Sequence, residues 1–211
     1  MSLWPEISKQ ISTTTGRPFQ INTQRAVGGG CINEAYVIAG GQQRYFVKLN
    51  QAQRIEMFAA EAAALCEMTE THSVKVPQPI CWDVAGQQAY LVLEYLDLSG
   101  RAGQGYAALG AQLAAMHRVT QGRYGWQRNN TIGSTPQINT WQTDWVHFWR
   151  EQRLEYQYRL AYTQGYRGRL QRSGTKVLES MEALFRRYTP AASLLHGDLW
   201  AGNMAIDNLG Q

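Results

Sequence analysis

The sequence has few cysteines, few charges and no long apolar run, and each shortage excludes a class of protein. Its three cysteines, Cys31, Cys66 and Cys81, show neither Cys-x-x-Cys nor Cys/His metal-site spacing. This usage favours a reducing compartment over a disulfide-stapled secreted domain. No apolar run approaches bilayer-spanning length, and the N-terminus lacks the basic and apolar regions of a signal peptide. We therefore expect a soluble, cytoplasmic protein with no membrane partner.

Clustered positive charge is also scarce. Charged residues make up 17% of the chain and the net charge is +4, but the arginines are scattered and form no stripe that could follow a phosphate backbone. A basic nucleic-acid binder is one alternative, which salt-dependent affinity for DNA or RNA would reveal. We predict no nucleic-acid partner.

The hydrophobic periodicity changes along the chain and predicts two parts. The first part is mostly alternating, strand-like sequence around one helix at 53–70, after a short helix at 3–15. The second part is mostly helical. Strands are expected in "FQINTQRAV", on both sides of Gly40-Gly41 and within 74–98, and helices at 105–118, 140–163 and 173–188. The fold class is therefore α+β, with a sheet-rich N-lobe at 1–97, a linker at 98–104 and a helical C-lobe at 105–211.

A glycine-rich turn is the first candidate functional segment. In "VGGGCINEAY" (27–36), three consecutive glycines lie between two predicted strands. Such a turn lets backbone N–H groups approach an anion closely. Taken alone it is better explained as a flexible hairpin turn, because glycine-rich turns are common and this one lacks the full G-x-G-x-x-G spacing.

A lysine and a glutamate form the second candidate. Lys48 interrupts the apolar strand "RYFVKLN", and it would be costly to bury without a partner. Glu61 lies at the edge of the apolar face of the predicted helix 53–70. Strand alternation could simply point Lys48 to solvent, but an ion pair between the two would satisfy both.

The third candidate is "LLHGDLWAGN", near the end of the chain. His196, Asp198, Leu199 and Asn203 match the spacing H-x-D-L-x-x-x-N used in phosphoryl transfer. An aspartate there can accept a proton from an alcohol, and an asparagine carbonyl can ligate Mg²⁺. An ordinary turn built on Asp and Gly is the alternative.

Together these segments resemble the fructosamine/ketosamine kinase family. The resemblance extends along nearly the whole chain, through "GGGCINEAY", "FVKLN", "FAAEAAAL", "VPQPI", "YLVLEYLDL", "LGAQLAAMHR", "YGWQRNNTIGSTPQINTWQTDWVHFWREQRL" and "LLHGDLWAGN". It implies a protein-kinase-like fold of two lobes. It also implies ATP-dependent phosphorylation of the sugar 3-hydroxyl of a ketosamine, free or protein-bound, after which the adduct becomes unstable in deglycation repair.

The resemblance implies a role for each candidate residue. Asp198 is expected to be the catalytic base and Asn203 a ligand of Mg²⁺, with ATP as phosphoryl donor. The expected nucleotide-binding residues are Gly28, Gly29, Gly30, Cys31, Ile32, Asn33, Lys48, Glu61, Glu94, Tyr95 and Leu96. Lys48 would hold the α- and β-phosphates, braced by Glu61, and the backbone of 94–96 would hold the adenine.

Substrate recognition is expected from polar and aromatic residues. "NNTIGSTPQ" is rich in amides and hydroxyls that could bond sugar hydroxyls. Trp141, Trp145 and Trp149 repeat every four residues and are expected to share one helix face, mostly as core. The expected substrate residues are His196, Trp200, Asn130 and Trp141. Cys31 is most simply an inert small side chain, and mild redox sensitivity is a further hypothesis.

The family pattern also predicts an incomplete C-lobe. Kinase-like sites use a second, metal-bridging aspartate beyond the asparagine. After Asn203 the chain offers only Asp207, which we expect in a hairpin turn. Turnover by this chain is therefore expected to be impaired. An aminoglycoside- or choline-kinase-type phosphotransferase and a non-catalytic nucleotide-binding module are the alternatives.

Overall fold

A computed structural model describes residues 2–28, 32–98 and 105–207 of the chain. The chain divides into two compact units. The first unit comprises Met1–Arg118 and Leu195–Gln211, and the second unit comprises Val119–Leu194. The predicted linker lies outside the described residues except for its first residue, and the predicted lobe boundaries stay a prediction.

The described residues of the first unit form a five-stranded antiparallel sheet and three α-helices. In chain order its elements are α1 (Leu3–Thr15), β1 (Thr23–Val27), β2 (Glu34–Gly40), β3 (Gln43–Gln51), a 3₁₀ turn (Ala52–Arg54), α2 (Ile55–Glu70), β4 (Pro79–Ala85), β5 (Gln88–Glu94), α3 (Tyr106–His117) and a 3₁₀ turn (Ala201–Asn203). The strand order in the sheet is β1-β2-β3-β5-β4. Gly41 and Gly86 have φ of 58° and 63° in the two tight hairpin turns, a conformation that glycine adopts without strain.

The sheet carries a helix on each face, because side chains alternate along its strands. Val47 and Leu49 of β3 point to one face, where they join a buried cluster with Ile7 and Ile11 of α1. Lys48 lies between them and points to the other face, where its ammonium group meets α2. Burying Ile7 or Ile11 contributes about 1.5–3 kcal/mol each. The predicted meander and the two N-lobe helices are confirmed.

The strand predicted from "FQINTQRAV" is shorter than expected. β1 begins only at Thr23. The backbone N–H groups of Phe19 and Ile21 donate to the hydroxyls of Ser12 and Ser8 on α1, at 2.9 and 3.3 Å, instead of to a strand. The alternating pattern of this segment thus reflects packing against a helix.

The second unit contains short strands and four helical segments. Its elements are β6 (Thr120–Gln121), β7 (Asn130–Ile132), β8 (Thr135–Gln137), α4 (Trp145–Trp149), a π-helical segment (Arg150–Glu155), α5 (Tyr156–Thr163), α6 (Arg169–Leu184) and β9 (Ala192–Ser193). β6 pairs with β9, and β7 with β8, both antiparallel.

The helix predicted for 140–163 is wrong at its start. Asp144 caps α4, since its Oδ1 accepts a hydrogen bond of 2.6 Å from the backbone N–H of His147. The preceding residues are extended: the backbones of Tyr124 and Gln142 exchange hydrogen bonds of 2.7 and 2.8 Å. Trp141 therefore does not share a helix face with the other tryptophans. The helix predicted for 173–188 also starts earlier, at Arg169, and ends at Leu184.

Trp145 and Trp149, the other two members of the predicted tryptophan stripe, form the aromatic core of the second unit, as predicted. The rings of Trp145 and Trp149 stack with centroids 5.1 Å apart, and Trp145 also contacts Tyr124 and Phe185. Phe148 beside them is buried. In the part of the chain that the structure describes, no helix has the length and apolar character needed to span a membrane.

Candidate active site

Lys48 and Glu61 form the predicted ion pair. Lys48 Nζ lies 2.5 Å from Glu61 Oε1, and both side chains are 28% exposed. β3 aims the lysine at the α2 side of the sheet, and the position of Glu61 at the edge of the buried face of α2 lets its carboxylate reach the lysine. The ion pair holds the Lys48 ammonium group in a defined position, where it can attract a phosphate.

The glycine loop is described only at its two ends. Gly28, Ile32 and Asn33 belong to the described residues, whereas Gly29, Gly30 and Cys31 lie outside them. Asn50 Nδ2 donates to the Ile32 carbonyl at 3.1 Å and to Asn33 Oδ1 at 2.7 Å. Asn50 thus anchors the end of the loop that leads into β2.

Sequence reasoning missed Asn50, although a signal for it exists. Asn50 follows Lys48 by two residues in the same strand. By strand alternation the two side chains therefore share one face of the sheet. A second polar residue on that face, next to the expected phosphate-binding lysine, is the pattern that could have identified it.

The expected adenine-binding segment continues from the end of β5. The backbone N–H of Glu94 donates to the Gln78 carbonyl at 2.8 Å, and its side-chain oxygen accepts from the Gln78 N–H at 3.3 Å. The guanidinium of Arg44 lies 4.4 Å from the ring centroid of Tyr95. These contacts hold Glu94 and Tyr95 in place just before Leu96. Binding of the adenine by the backbone of 94–96 stays a prediction.

Asp198 and Asn203 are brought together by a tight loop. Asn203 Nδ2 donates to both the backbone carbonyl and Oδ2 of Asp198, each at 2.9 Å. Gly197, with φ of 84°, makes the turn before the aspartate. The Asp198 N–H donates a long hydrogen bond of 3.4 Å to His196 Nδ1. Because Asn203 Nδ2 faces Asp198, Asn203 Oδ1 points away from the aspartate and is available as a carbonyl ligand for a cation.

Trp200 is a largely exposed residue of this loop. It is 59% exposed, and its ring lies over Gly202, where an added Cβ would come within 2.3 Å of the ring. Only glycine leaves room for that ring position. A flat apolar surface beside Asp198 is suited to contact with a sugar face or an aglycone.

Magnesium fits these residues in one specific way. Among the described residues no group of three or more His, Cys, Asp or Glu side chains could hold a metal ion by itself. Mg²⁺ prefers oxygen ligands and is usually held by one or two protein groups plus substrate phosphates. The Asn203 carbonyl oxygen can supply such a ligand beside the Asp198 carboxylate.

The segment after the loop makes two contacts that the sequence did not indicate. Asp207, at 5% side-chain exposure, pairs with Lys75 at an O–N distance of 2.6 Å. A Cβ added at Gly105 would lie 2.9 Å from the Ile206 side chain. The hairpin turn expected at Asp207 stays a prediction, because residues 208–211 lie outside the described residues.

Asn130 and Trp141, the other expected substrate residues, belong to the second unit. Asn130 Oδ1 accepts from Asn139 Nδ2 at 2.9 Å, and Asn139 Oδ1 accepts from Arg153 at 2.7 Å. Burial lowers the pKa of the Arg153 guanidinium to about 10. Asn130 thus takes part in a network that holds the polar hairpin β7–β8. The Trp141 ring lies 4.3 Å from the Arg123 guanidinium.

Comparison with known proteins supports the family resemblance. The fructosamine kinase family model matches residues 3–211. A protein of Synechocystis named "probable ketoamine kinase" is 43% identical over 99% of the chain. The chloroplastic protein-ribulosamine 3-kinase of Arabidopsis thaliana is 40% identical over 92% of the chain. The chain spans 70% of the first relative and 60% of the second.

Solved structures agree on the fold. A Haemophilus somnus chain named as a fructosamine-3-kinase superposes with a TM-score of 0.88 at 26% identity, covering 98% of this chain and 69% of that one. A spectinomycin phosphotransferase shares the fold alone, with a TM-score of 0.51 at 15% identity over 98% of this chain and 66% of its own. The predicted α+β, protein-kinase-like fold is confirmed. The chain belongs to the fructosamine kinase family of phosphotransferases.

Proposed function

We propose that this chain carries the site that transfers the γ-phosphoryl group of ATP to the sugar 3-hydroxyl of a ketosamine, in deglycation. The observation that carries the proposal is the Asp198–Asn203 pair in the family's H-x-D-L-x-x-x-N segment. The relatives are named for ketoamine and protein-ribulosamine substrates, which supports a ketosamine acceptor.

The proton of the sugar hydroxyl goes to Asp198. Its Oδ2 accepts the hydrogen bond from Asn203, which fixes the carboxylate plane. Oδ1 has no hydrogen-bond partner among the described residues and can accept the hydroxyl proton as the sugar oxygen bonds to phosphorus and ADP leaves. Asp198 is exposed, so a substrate can reach it.

The phosphates are positioned by groups of the first unit. Lys48 would neutralise the α- and β-phosphates, and Glu61 would hold the lysine in place. The backbone N–H groups of 28–33 would cover the phosphates. Asn203 would hold Mg²⁺, which supplies neutralisation of the phosphate charge when bound. The backbone of 94–96 would hold the adenine. His196, Trp200, Asn130 and Trp141 stay predictions as substrate contacts, and so does a cytoplasmic location.

Nucleotide binding is the first test, because it requires no acceptor substrate. We expect saturable binding of a fluorescent ATP analogue that requires Lys48. Absence of binding by the folded chain would contradict the proposal and favour another function for this fold.

Turnover is the second test. A synthetic ketosamine, an aminoglycoside and choline are compared for ADP release, with the product located by ³¹P NMR. The ketosamine should be the preferred acceptor, and Asp198→Asn should lower its rate about 10²–10⁴-fold. Asp83→Asn, an exposed strand aspartate, is the matched control. Preference for the aminoglycoside or choline would contradict the substrate class, and an unchanged rate in Asp198→Asn would contradict its role.

A further inference from the structure

The ion pair between Lys75 and Asp207 joins two distant parts of the first unit. The residues are 132 positions apart, and Lys75 Nζ lies 2.6 Å from Asp207 Oδ2. The Asp207 side chain is 5% exposed, whereas that of Lys75 is 42% exposed. A carboxylate this deeply buried is stable as an anion only with charged or hydrogen-bonding partners, and Lys75 supplies a positive one.

Asp207 lies only four residues beyond Asn203, the candidate Mg²⁺ ligand. Four residues span at most about 14 Å, so the position of Asp207 limits where Asn203 can be. Ile206 adds a second anchor, because its side chain lies against Gly105 at the start of α3. The loop is thus held on one side by the Asn203–Asp198 hydrogen bond and on the other by the Lys75 pair.

Lys75 itself lies in the segment between α2 and β4. That segment is attached at its end, where Gln78 Nε2 donates to the Thr69 hydroxyl of α2 at 2.7 Å and Gln78 exchanges hydrogen bonds with Glu94. α2 also carries Glu61. Lys75 therefore connects the loop bearing Asn203 to the helix and strand that bear the candidate nucleotide-binding residues.

We infer that Lys75 is a positioning residue for the metal ligand Asn203, an inference that rests on the function proposed above. Without the ammonium group, the Asp207 carboxylate loses a positively charged partner, which weakens the attachment of segment 204–207. The Asn203 carbonyl then loses its fixed direction. Mg²⁺-dependent nucleotide binding weakens, while binding through Lys48 and the glycine loop persists.

The test measures the affinity of a fluorescent ATP analogue over a Mg²⁺ titration and in excess EDTA. Lys75→Met should raise the Mg²⁺ concentration for half-maximal enhancement about tenfold, the lower end of the effect of losing a group that orients a metal ligand. Affinity in EDTA should stay within about twofold. Lys75→Arg should restore much of the Mg²⁺ response, because it keeps the charge.

Lys9→Met is the matched control, since Lys9 is an exposed lysine on α1 of the same unit. It should behave as the unchanged chain. Asp207→Asn removes the charge of the other partner of the ion pair and should shift the Mg²⁺ response in the same direction. This second variant keeps the inference testable if Lys75→Met does not fold.

Two outcomes would overturn the inference, and each is distinct. If Lys75→Met lowers thermal stability but leaves the Mg²⁺ response unchanged, the pair has a structural role only, and the proposed function stands. If the unchanged, folded chain binds no nucleotide with or without Mg²⁺, the proposed function fails, and this inference fails with it.

Discussion

Removing either partner of the Lys48–Glu61 pair should separate its contribution to stability from its contribution to nucleotide binding. The perturbation is a double-mutant cycle of Lys48→Met, Glu61→Gln and the combined variant. The two atoms lie 2.5 Å apart, and each side chain keeps about a quarter of its surface in water. The pair is therefore intermediate between an exposed and a buried ion pair.

The expected magnitude follows from that burial. Exposed pairs contribute about 0.2–1 kcal/mol, and breaking a buried pair costs about 3–5 kcal/mol. We expect each single substitution to lower the free energy of unfolding by about 1–2 kcal/mol. The combined variant should lose less than the sum, by a coupling energy of about 1 kcal/mol, because neither charge is then left alone.

Nucleotide affinity should not follow stability. A hydrogen bond from a charged donor contributes about 1.5–3 kcal/mol, so Lys48→Met should weaken binding about 10–100-fold. Glu61→Gln should weaken it only several-fold, since it displaces the lysine without removing it. The combined variant should recover part of its stability and none of its affinity.

The assay pairs urea unfolding with titration of a fluorescent ATP analogue. Glu70→Gln, an exposed glutamate at the end of α2, is the matched control. Additive losses of stability would refute the coupling. Unchanged nucleotide affinity in Lys48→Met would refute the assignment of this lysine to the phosphates.

Two further predictions concern the glycine loop and the core. Asn50→Ala should weaken nucleotide binding about three- to tenfold in the same titration, because two side-chain hydrogen bonds to the loop of roughly 1 kcal/mol in total are lost; exposed Asn22→Ala should not. Burial raises the pKa of the Cys81 thiol from 9.0 to about 12. Between those pH values the native state keeps a proton that the unfolded state loses, so stability falls as pH rises. From about pH 8 to 10.5, urea unfolding should show that the unchanged chain loses about 2 kcal/mol more of its free energy of unfolding than Cys81→Ala does. Cys66→Ala should lose as much as the unchanged chain. An equal loss in Cys81→Ala would contradict the argument.

Local patterns predicted much of the first unit. Lys48 in an apolar strand and Glu61 at the edge of a helix face are each unfavourable alone, and the structure pairs them. The H-x-D-L-x-x-x-N motif spans eight residues, from His196 to Asn203. Asp198 and Asn203 are only five positions apart, so their contact depends on one turn. Contacts of this short range can be predicted from sequence because few other elements of the fold can alter them.

The second unit was harder to predict because local and tertiary preferences disagree there. Trp141 has helical spacing to Trp145, but backbone pairing of its neighbour Gln142 with Tyr124 makes the segment extended. The capping side chain of Asp144 then starts the helix later. Neither contact is visible in a periodicity measured along one segment.

By itself the sequence determined the fold class and the residue types available for phosphoryl transfer, because these depend on periodicity and spacing within single segments. Its motifs carried the family resemblance. Only the tertiary structure decided which groups hold those residues in place. Asn50 meets the end of the glycine loop, Asn139 meets Asn130, and Lys75 meets Asp207 across 132 residues. Side chains this far apart come together only when the sheet and helices pack, since a buried polar group takes whichever partner the fold brings within hydrogen-bonding distance.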